Sequence, residues 1–284
     1  MEIINRRQRM FSISRKLRRD SKTVGFVPTM GSLHEGHFSL VKEARQRCDV
    51  VVVSIFVNPT QFNDKSDLEN YPHDLTSDAA RLAEFGVDYV FAPEASEIYP
   101  AGFSTYVYVE HLSELFEGAS RPGHFRGVAT VVTILLNTIR PDLAFFGQKD
   151  AQQESIVRRL VKDLGFETEI VTLPTVREES GLALSSRNAR LTDEERTKAA
   201  VLFRALREAK IAFKKGERNA LELTQIVQKI IQEEPLAEID YIAVVDHETL
   251  QPVDKVGDGE TLIALAARFG SVRLIDNIVL NRKQ

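Results

Sequence analysis

The chain has 284 residues, of which 43% are hydrophobic and 27% are charged, and its formal net charge is −4. This length and composition are typical of a globular protein large enough for two domains. The negative balance argues against broad binding to nucleic acid or to anionic membranes. With Cys48 as the single cysteine there is no intrachain disulfide, so we expect a cytoplasmic protein in which Cys48 only packs.

Patterns typical of strands and helices alternate as far as residue 174. A basic stretch at residues 6–19 has helical spacing and predicts an amphipathic helix, with an organellar presequence as the alternative. The predicted strands are residues 23–27, 50–57, 87–91, 105–109, 143–146 and 168–173. The predicted helices lie at residues 38–44, 76–85, 128–139 and 151–164. This alternation predicts an α/β fold over residues 1–174, a Rossmann-like parallel sheet with helices on both faces.

The pattern changes after residue 174. Thr192 and Glu195 form a capping box that opens a long charged helix. The predicted elements of this region are helices at residues 193–215 and 220–233 and strands at residues 239–245, 261–267 and 272–280. We therefore expect residues 175–284 to form a smaller C-terminal α+β lid domain.

Two histidines, His34 and His37, lie where the first strand turns into a helix, with Gly31 and Gly36 beside them. At such a turn the backbone N–H groups and the helix dipole favour an anion, and histidines donate hydrogen bonds to phosphate oxygens. Two alternatives are a structurally satisfied pair and a metal pair, although the other histidines show no ligand spacing. The position and the glycines favour a nucleotide site without a Walker lysine.

Two more polar segments are candidates for the same site. Asn58 and Gln61 follow the strand at residues 50–57, where they either hydrogen-bond a small polar substrate or form a turn. The segment at residues 121–127 is basic and punctuated by glycine. It either lines the site or forms a surface loop.

Lys149 and Asp150 open a helix directly after a strand, in positions suited to phosphates and ribose hydroxyls, and Gln153 lies one turn further on. The alternative is an Asp150 N-cap beside a solvated lysine. Residues 184–188 place two serines and an arginine in a flexible loop, which is typical of an anion clamp. These sets together fit one polyanionic ligand, and the sequence has no P-loop, dinucleotide or serine-hydrolase motif.

Taken together, these motifs resemble the pantothenate synthetase (pantoate–β-alanine ligase) family of the nucleotidylyltransferase superfamily. The resemblance covers nearly the whole chain and is carried by residues 28–37 (PTMGSLHEGH), 56–62 (FVNPTQF), 121–128 (RPGHFRGV), 149–153 (KDAQQ), 185–188 (SSRN) and 273–277 (RLIDN). It implies the ATP-dependent condensation of (R)-pantoate with β-alanine through a pantoyl adenylate. The products would be pantothenate, AMP and pyrophosphate, in the biosynthesis of a coenzyme A precursor.

The resemblance also implies roles for individual residues. His37, His34 and Lys149 would be catalytic, with His37 as the proton donor or charge stabiliser. Gln61 and Gln153 would bind pantoate, and Gln61 would also bind β-alanine. The residues implied in ATP binding are Met30, Gly31, Ser32, Leu33, His34, Glu35, Gly36, His37, Gly147, Gln148, Lys149, Asp150, Val176, Leu184, Ser185, Ser186 and Arg187.

Mg²⁺ would be held mostly by phosphate oxygens, with Asp78 as the implied protein contact. Many relatives carry Glu at the position of Gln148, and this departure is expected to change the placing of Lys149 without removing activity. The resemblance implies a homodimer, and no nucleic-acid or membrane partner is expected. One rival is a tRNA synthetase, against which the acidic balance argues. Another is a nucleotide-binding regulatory module, which would not need a second pocket at Gln61 and Gln153.

Overall fold

The structure, a computed structural model, describes residues 1–63, 68–69 and 71–281. These residues divide into two compact units, Met1–Gly147 with Ile156–Leu173, and Gln148–Ser155 with the residues from Pro174 onward. The second unit therefore includes Gln148–Ser155, which lies in the chain between the two parts of the first unit. The domain assignment to residues 1–174 and 175–284 stays a prediction.

The first unit is built around a sheet flanked by helices. Its strands are β1 (Glu2–Ile4), β2 (Val24–Thr29), β3 (Val50–Ile55), β4 (Tyr89–Phe91), β5 (Leu143–Gly147) and β6 (Glu169–Leu173). Its helices are α1 (Arg7–Arg19), α2 (Glu35–Arg47), α3 (Leu75–Glu84), α4 (Ala95–Ile98), α5 (Glu117–Ser120), α6 (His124–Ile139) and the Ile156–Asp163 part of α7 (Ala151–Asp163). A 3₁₀ turn, Pro59–Gln61, follows β3.

Within the described residues this sheet has six parallel strands in the order β1-β4-β3-β2-β5-β6. β2 pairs with β3 on one side and with β5 on the other, so the strand order reverses at β2. Ligands of open α/β sheets bind at such a switch point, outside the carboxyl ends of the strands. The parallel sheet confirms the predicted α/β fold, and the histidine turn follows the carboxyl end of β2.

One hydrophobic cluster of the first unit lies where α2 and the sheet meet. Val51, Val52 and Val53 of β3 are fully buried, as expected for a strand covered on both faces, and Phe38 of α2 packs in the same cluster as Val51 and Val53. Cys48 follows the last turn of α2 in this core, and burial raises the pKa of its thiol. The predicted packing role of Cys48 is consistent with this place.

The second unit packs helices on an antiparallel sheet. Its helices are α8 (Asp193–Ala199), α9 (Val201–Lys214) and α10 (Ala220–Gln232), and two 3₁₀ turns lie at Gln148–Asp150 and Ser186–Arg190. Its strands, paired in the order β7-β8-β9 over the described residues, are β7 (Ala237–Asp246), β8 (Thr261–Phe269) and β9 (Val272–Leu280). Leu206, Leu223 and Ile263 are fully buried between the helices and the sheet. This confirms the predicted α+β region.

Two local predictions differ from the structure, and some short elements have no prediction. The predicted strand at residues 105–109 is wrong, because its backbone has no strand beside it in the described chain and the Val107 N–H donates to the Thr130 hydroxyl instead. The helix predicted at residues 193–215 is interrupted at Ala200, whose φ of −59° and ψ of −18° give a 3₁₀-like turn. β1 was not predicted, since three residues carry too little pattern.

The capping box predicted at α8 is confirmed. The Thr192 hydroxyl accepts from the Glu195 N–H at 3.2 Å, and the Glu195 carboxylate accepts from the Thr192 N–H at 2.8 Å. No helix in the described ranges combines the length and apolarity that crossing a bilayer requires.

Candidate active site

The histidine turn forms the N-terminus of α2. His34 is the N-cap, and its Nδ1 accepts from the Gly36 N–H at 3.2 Å, while His37 Nδ1 accepts from the His34 N–H at 3.3 Å. A neutral imidazole whose Nδ1 accepts carries its proton on Nε2, so the two rings present Nε2–H donors. The ring centroids lie 4.2 Å apart. The turn therefore presents two paired donors at a helix N-terminus, where an anion is favoured.

Glycine is needed at two positions of this turn. Gly31 has φ of +88°, in the left-handed region that favours glycine. A Cβ at Gly36 would lie 2.9 Å from Cε1 of His34, so a larger residue would displace the ring. Gly31 therefore permits the backbone turn that leads to the histidines, and Gly36 leaves room for the His34 ring.

α3 holds the turn from the other side. The Asp78 carboxylate is buried and accepts from the Ser32 N–H at 2.9 Å and from the Leu33 N–H at 3.0 Å. Arg81 donates to the Leu33 carbonyl at 2.8 Å and to Glu35 at 3.2 Å. Asp78 thus uses both oxygens to position the backbone that leads to His34.

Gln61 lies in a buried polar network at the end of β3. Burial raises the pKa of Tyr99, so its phenol stays protonated and donates to Asn58 Oδ1 at 2.7 Å. Asn58 Nδ2 in turn donates to Gln61 Oε1 at 3.0 Å. Gln61 Nε2 then contacts Met30 Sδ at 2.9 Å, which places Gln61 beside the histidine turn.

The basic segment at residues 121–127 supports Gln61 from α6. His124 Nδ1 donates to the Gln61 carbonyl at 2.8 Å, and Arg121 donates to the same oxygen at 3.3 Å. Gly127 allows the close approach, because a Cβ there would lie 2.5 Å from the Thr60 carbonyl oxygen. The segment therefore packs against the turn that carries Gln61, and its place in a ligand site stays a prediction.

In the second unit, the predicted phosphate-binding residues come together. Lys149, Ser185 and Arg187 line one pocket, and Arg273, for which the sequence predicts no role, lines it too. Lys149 Nζ also lies 3.6 Å from the Asp150 carboxylate. This collection of cations and hydroxyls is suited to phosphate oxygens.

The predicted clamp at residues 184–187 has a defined backbone. The Leu184 N–H donates to the Val176 carbonyl at 3.0 Å, so these two predicted ATP residues are neighbours. Ser185 caps the 3₁₀ turn that comes next, its hydroxyl accepting from the Arg187 N–H at 3.2 Å. Asn188 closes the turn by donating to the Ala183 carbonyl at 3.0 Å.

His247 contacts two carboxylates, those of Glu154 and Glu260, at the start of α7. Gln153 lies in the same first turn of α7, next to Glu154 in the chain. His247 Nε2 is 3.4 Å from Glu154 Oε2, and its Nδ1 is 3.1 Å from Glu260 Oε2. Burial alone would lower the pKa of His247, but its contacts with the two carboxylates outweigh that effect and raise the pKa above its ordinary value. Ser155 also donates to the His247 carbonyl at 2.9 Å, so His247 stabilises the start of α7.

The comparisons with known proteins decide the family. A model described as pantoate-beta-alanine ligase matches residues 2–279. The chain belongs to the pantoate–β-alanine ligase family. The predicted family and the predicted ligase activity are thereby confirmed.

Curated relatives of this ligase match over nearly their whole length. The pantothenate synthetase of Pelotomaculum thermopropionicum is 52% identical over 268 residues, covering 94% of this chain and 95% of the relative. That of Thermosipho africanus is 51% identical over 280 residues, covering 99% and 100%.

Solved structures agree with the fold of this ligase. The pantothenate synthetase of Thermus thermophilus has a TM-score of 0.90 at 46% identity, covering 98% of this chain and 99% of that chain. The pantoate–β-alanine ligase of Francisella tularensis, solved as a complex with β-γ ATP and β-alanine, has a TM-score of 0.80 at 39% identity, covering 98% and 97%.

The described side chains of this ligase do not form a magnesium site by themselves. Both oxygens of Asp78 accept backbone N–H groups. Over the ranges that the structure describes, no group of three or more His, Cys, Asp or Glu side chains is arranged to hold a metal ion. Magnesium prefers six oxygens and keeps several waters, so these residues suit an ion that arrives on ATP phosphates.

The sequence of this ligase predicts no role for Tyr99, His247 or the pair Asp276–Asn277. Tyr99 and His247 act through partners 41 and 93 positions away, which no local pattern reveals. The pair Asp276–Asn277 did leave a signal, since two adjacent polar residues interrupt the apolar run of β9.

Proposed function

We propose that this ligase activates pantoate with ATP and then transfers the pantoyl group to β-alanine. A carboxylate oxygen of pantoate attacks the α-phosphorus, and the bond to pyrophosphate breaks, which leaves pantoyl adenylate. The amine of β-alanine then attacks the activated carbonyl, loses a proton and displaces AMP, so the amide of pantothenate forms. The observation that carries this proposal is the pair of imidazoles at the N-terminus of α2, each of which accepts a backbone N–H at Nδ1.

His34 and His37 are proposed to act on the ATP phosphates. Charge builds up on the bridging and terminal oxygens as pyrophosphate departs, and preorganised donors stabilise that charge. His37 is the proposed proton donor or charge stabiliser. The N-terminal segment at residues 30–37 is proposed to bind ATP with them, its backbone held by Asp78.

Lys149 and the clamp are proposed to bind the same nucleotide. The pocket shared by Lys149, Ser185 and Arg187 supports a phosphate role for the three. Asp150 is proposed to accept from ribose hydroxyls, and Val176 to contact adenine through its backbone. The remaining residues proposed to bind ATP in this region are Gly147, Gln148, Leu184 and Ser186.

Gln61 and Gln153 are proposed to hold pantoate, and Gln61 also β-alanine. The network through Asn58 supports this, because it fixes which end of the Gln61 amide points toward Met30. Mg²⁺ is proposed to accompany ATP on its phosphate oxygens, with Asp78 near it in the proposed site. A homodimer in the cytoplasm is also proposed.

The deciding experiment follows the fate of ATP with and without pantoate, before any β-alanine is added. We expect AMP-containing adenylate and pyrophosphate only when pantoate is present, identified by mass spectrometry, and pantothenate after β-alanine is supplied. Formation of ADP, or ATP cleavage indifferent to pantoate, would contradict the proposed route.

A further inference from the structure

β9 contains two adjacent buried polar side chains, Asp276 and Asn277, which are 3% and 4% exposed. Buried polar groups need hydrogen-bond partners, so a pair of them within an apolar strand is costly unless the partners are well placed. Each residue of the pair has such partners, and they lie in two different loops of the same unit.

Asn277 holds the carbonyls of the two peptide groups on either side of Lys149. Its Nδ2 donates to the carbonyls of Gln148 and Lys149, each at 2.9 Å. Its Oδ1 accepts from Gln148 Nε2 at 3.2 Å. Since both amide hydrogens bind successive carbonyls, Asn277 restricts the conformation of the turn from which Lys149 extends.

Asp276 holds the second loop through Arg177. The Arg177 guanidinium donates to both carboxylate oxygens of Asp276, at 2.6 and 2.8 Å, a bidentate pair that fixes its plane. The same guanidinium donates to the Gly181 carbonyl at 3.1 Å, and Arg177 pairs with Ala183 in an antiparallel bridge. The chain then runs directly into Ser185.

The two loops held by this pair line the same pocket, one through Lys149 and the other through Ser185 and Arg187. We propose that Asp276 and Asn277 are positioning residues, which set the places of the phosphate-binding groups from one strand. This inference rests on the proposed ATP-binding role of that pocket. Asp276 lines this pocket as well, but both of its carboxylate oxygens accept from Arg177, and Asn277 is not among the lining residues.

The test replaces Asn277 by Asp, which has nearly the same shape but no Nδ2 donor. The new carboxylate would face two carbonyl oxygens, so the turn carrying Lys149 should shift. We expect kcat/KM for ATP in pyrophosphate formation to fall by about 10²-fold, the scale of a misplacement near 1 Å. If Asn277 only fills space, N277D should keep nearly the activity of the parent chain.

A double-mutant cycle with Lys149→Ala separates positioning from general damage. If Asn277 acts through Lys149, N277D should cost less than about 3-fold when Lys149 is already Ala. Losses that multiply fully in the double variant would overturn the proposal, even if N277D lowers the melting temperature. Asn281→Ala is the matched control, because Asn281 bonds the Glu260 side chain just beyond β9 and is expected to keep parental kinetics.

The second loop is tested by Arg177→Lys, which keeps the charge and loses the bidentate geometry. We expect a loss in kcat/KM for ATP that shrinks when Arg187 is Ala, and an undiminished loss would count against positioning by Asp276. Calorimetry with MgATP keeps the two proposals distinct. A parent chain that binds no MgATP would overturn both, whereas equal binding and rates in parent and N277D would overturn the positioning role alone.

Discussion

His37 makes a hydrogen bond to the local backbone and also has a proposed role in the reaction. Its Nδ1 accepts from the His34 N–H, which places the ring proton of a neutral imidazole on Nε2. We predict that His37→Ala lowers the rate of pantoate-dependent pyrophosphate formation by about 10²–10³-fold, the effect of losing one transition-state donor. A quenched-flow measurement of pyrophosphate gives this rate.

His73→Ala is the matched control for that variant. His73 is exposed and its Nδ1 contacts the carbonyl of Tyr71, so its loss should leave the rate unchanged. Pyrophosphate release near the parental rate in His37→Ala would count against a role for His37 in the first step.

His247 makes stability depend on pH. Because its pKa is raised in the folded chain, the ion pair with Glu154 and Glu260 contributes fully below the unfolded value of about 6.5. That contribution is lost as the pH rises through the raised folded pKa. We predict that the free energy of unfolding falls over this window in the parent chain.

His247→Gln checks the origin of that fall. Its urea-unfolding free energy should lack this component of the pH dependence above about pH 6.5. An NMR titration of the His247 ring should show the imidazolium persisting above pH 6.5. The same pH slope in both chains would show that other groups cause it.

Single residues differ in how far the sequence reveals them. His34, Gly36 and His37 act on one another within a few positions, so their spacing is enough to predict a phosphate-binding turn. Asn277 and Gln148 are 129 positions apart, and only the folded chain brings them together. Local motifs therefore predict the residues proposed to touch ligand better than those that position them.

Among the elements, the contact between α6 and the 3₁₀ turn Pro59–Gln61 depends on the size of one residue. A Cβ on Gly127 would lie 2.5 Å from the Thr60 carbonyl oxygen, so backbone must move to admit it. We predict that Gly127→Ala lowers the free energy of unfolding by about 1–3 kcal/mol, as overpacking does. It should also raise KM for pantoate, because Gln61 moves with the turn.

Urea unfolding and steady-state kinetics measure these two effects. Asn137→Ala, at an exposed position of the same helix, is the control for helix propensity: it should raise the free energy of unfolding by about 0.5 kcal/mol and leave KM for pantoate unchanged. A Gly127→Ala chain as stable as the parent would contradict this prediction, because it would mean that the 3₁₀ turn moves aside at little cost in free energy.

Long, periodic elements could be predicted from the sequence, whereas short or unpaired ones could not. α6 and β3 carry strong apolar patterns over many residues, and both were predicted. The strand expected at residues 105–109 rested on an alternation that Tyr106 and Tyr108 produce while both are exposed. A strand requires a neighbour for its backbone, and alternation alone does not supply one.

At the scale of the whole molecule, α7 belongs to both compact units. Ala151–Ser155 counts with the second unit and Ile156–Asp163 with the first, so unfolding of either unit removes packing from the same helix. We predict one cooperative thermal transition for the chain. Far-UV and near-UV circular dichroism should change at one temperature, with equal calorimetric and van't Hoff enthalpies. Two separated transitions would contradict this.

The sequence does predict where the composition changes, near residue 174, but not that Gln148–Ser155 packs with the residues beyond that point. That stretch continues without a break from β5 and into α7, so nothing local sets it apart. It is joined to the second unit by hydrogen bonds to Asn277 and His247, which lie far along the chain.

Residues 148–155 also limit where the chain can be cut into two separately expressed fragments. Splitting it after Leu173 would put the carbonyls of Gln148 and Lys149 on one fragment and their donor, Asn277, on the other. Each fragment would then carry polar groups whose burial is satisfied only by the missing half, which favours aggregation of the separate pieces. A circular permutant opened at the exposed residues 257–259 avoids this, since α7 and β9 stay joined to all their partners on a continuous chain.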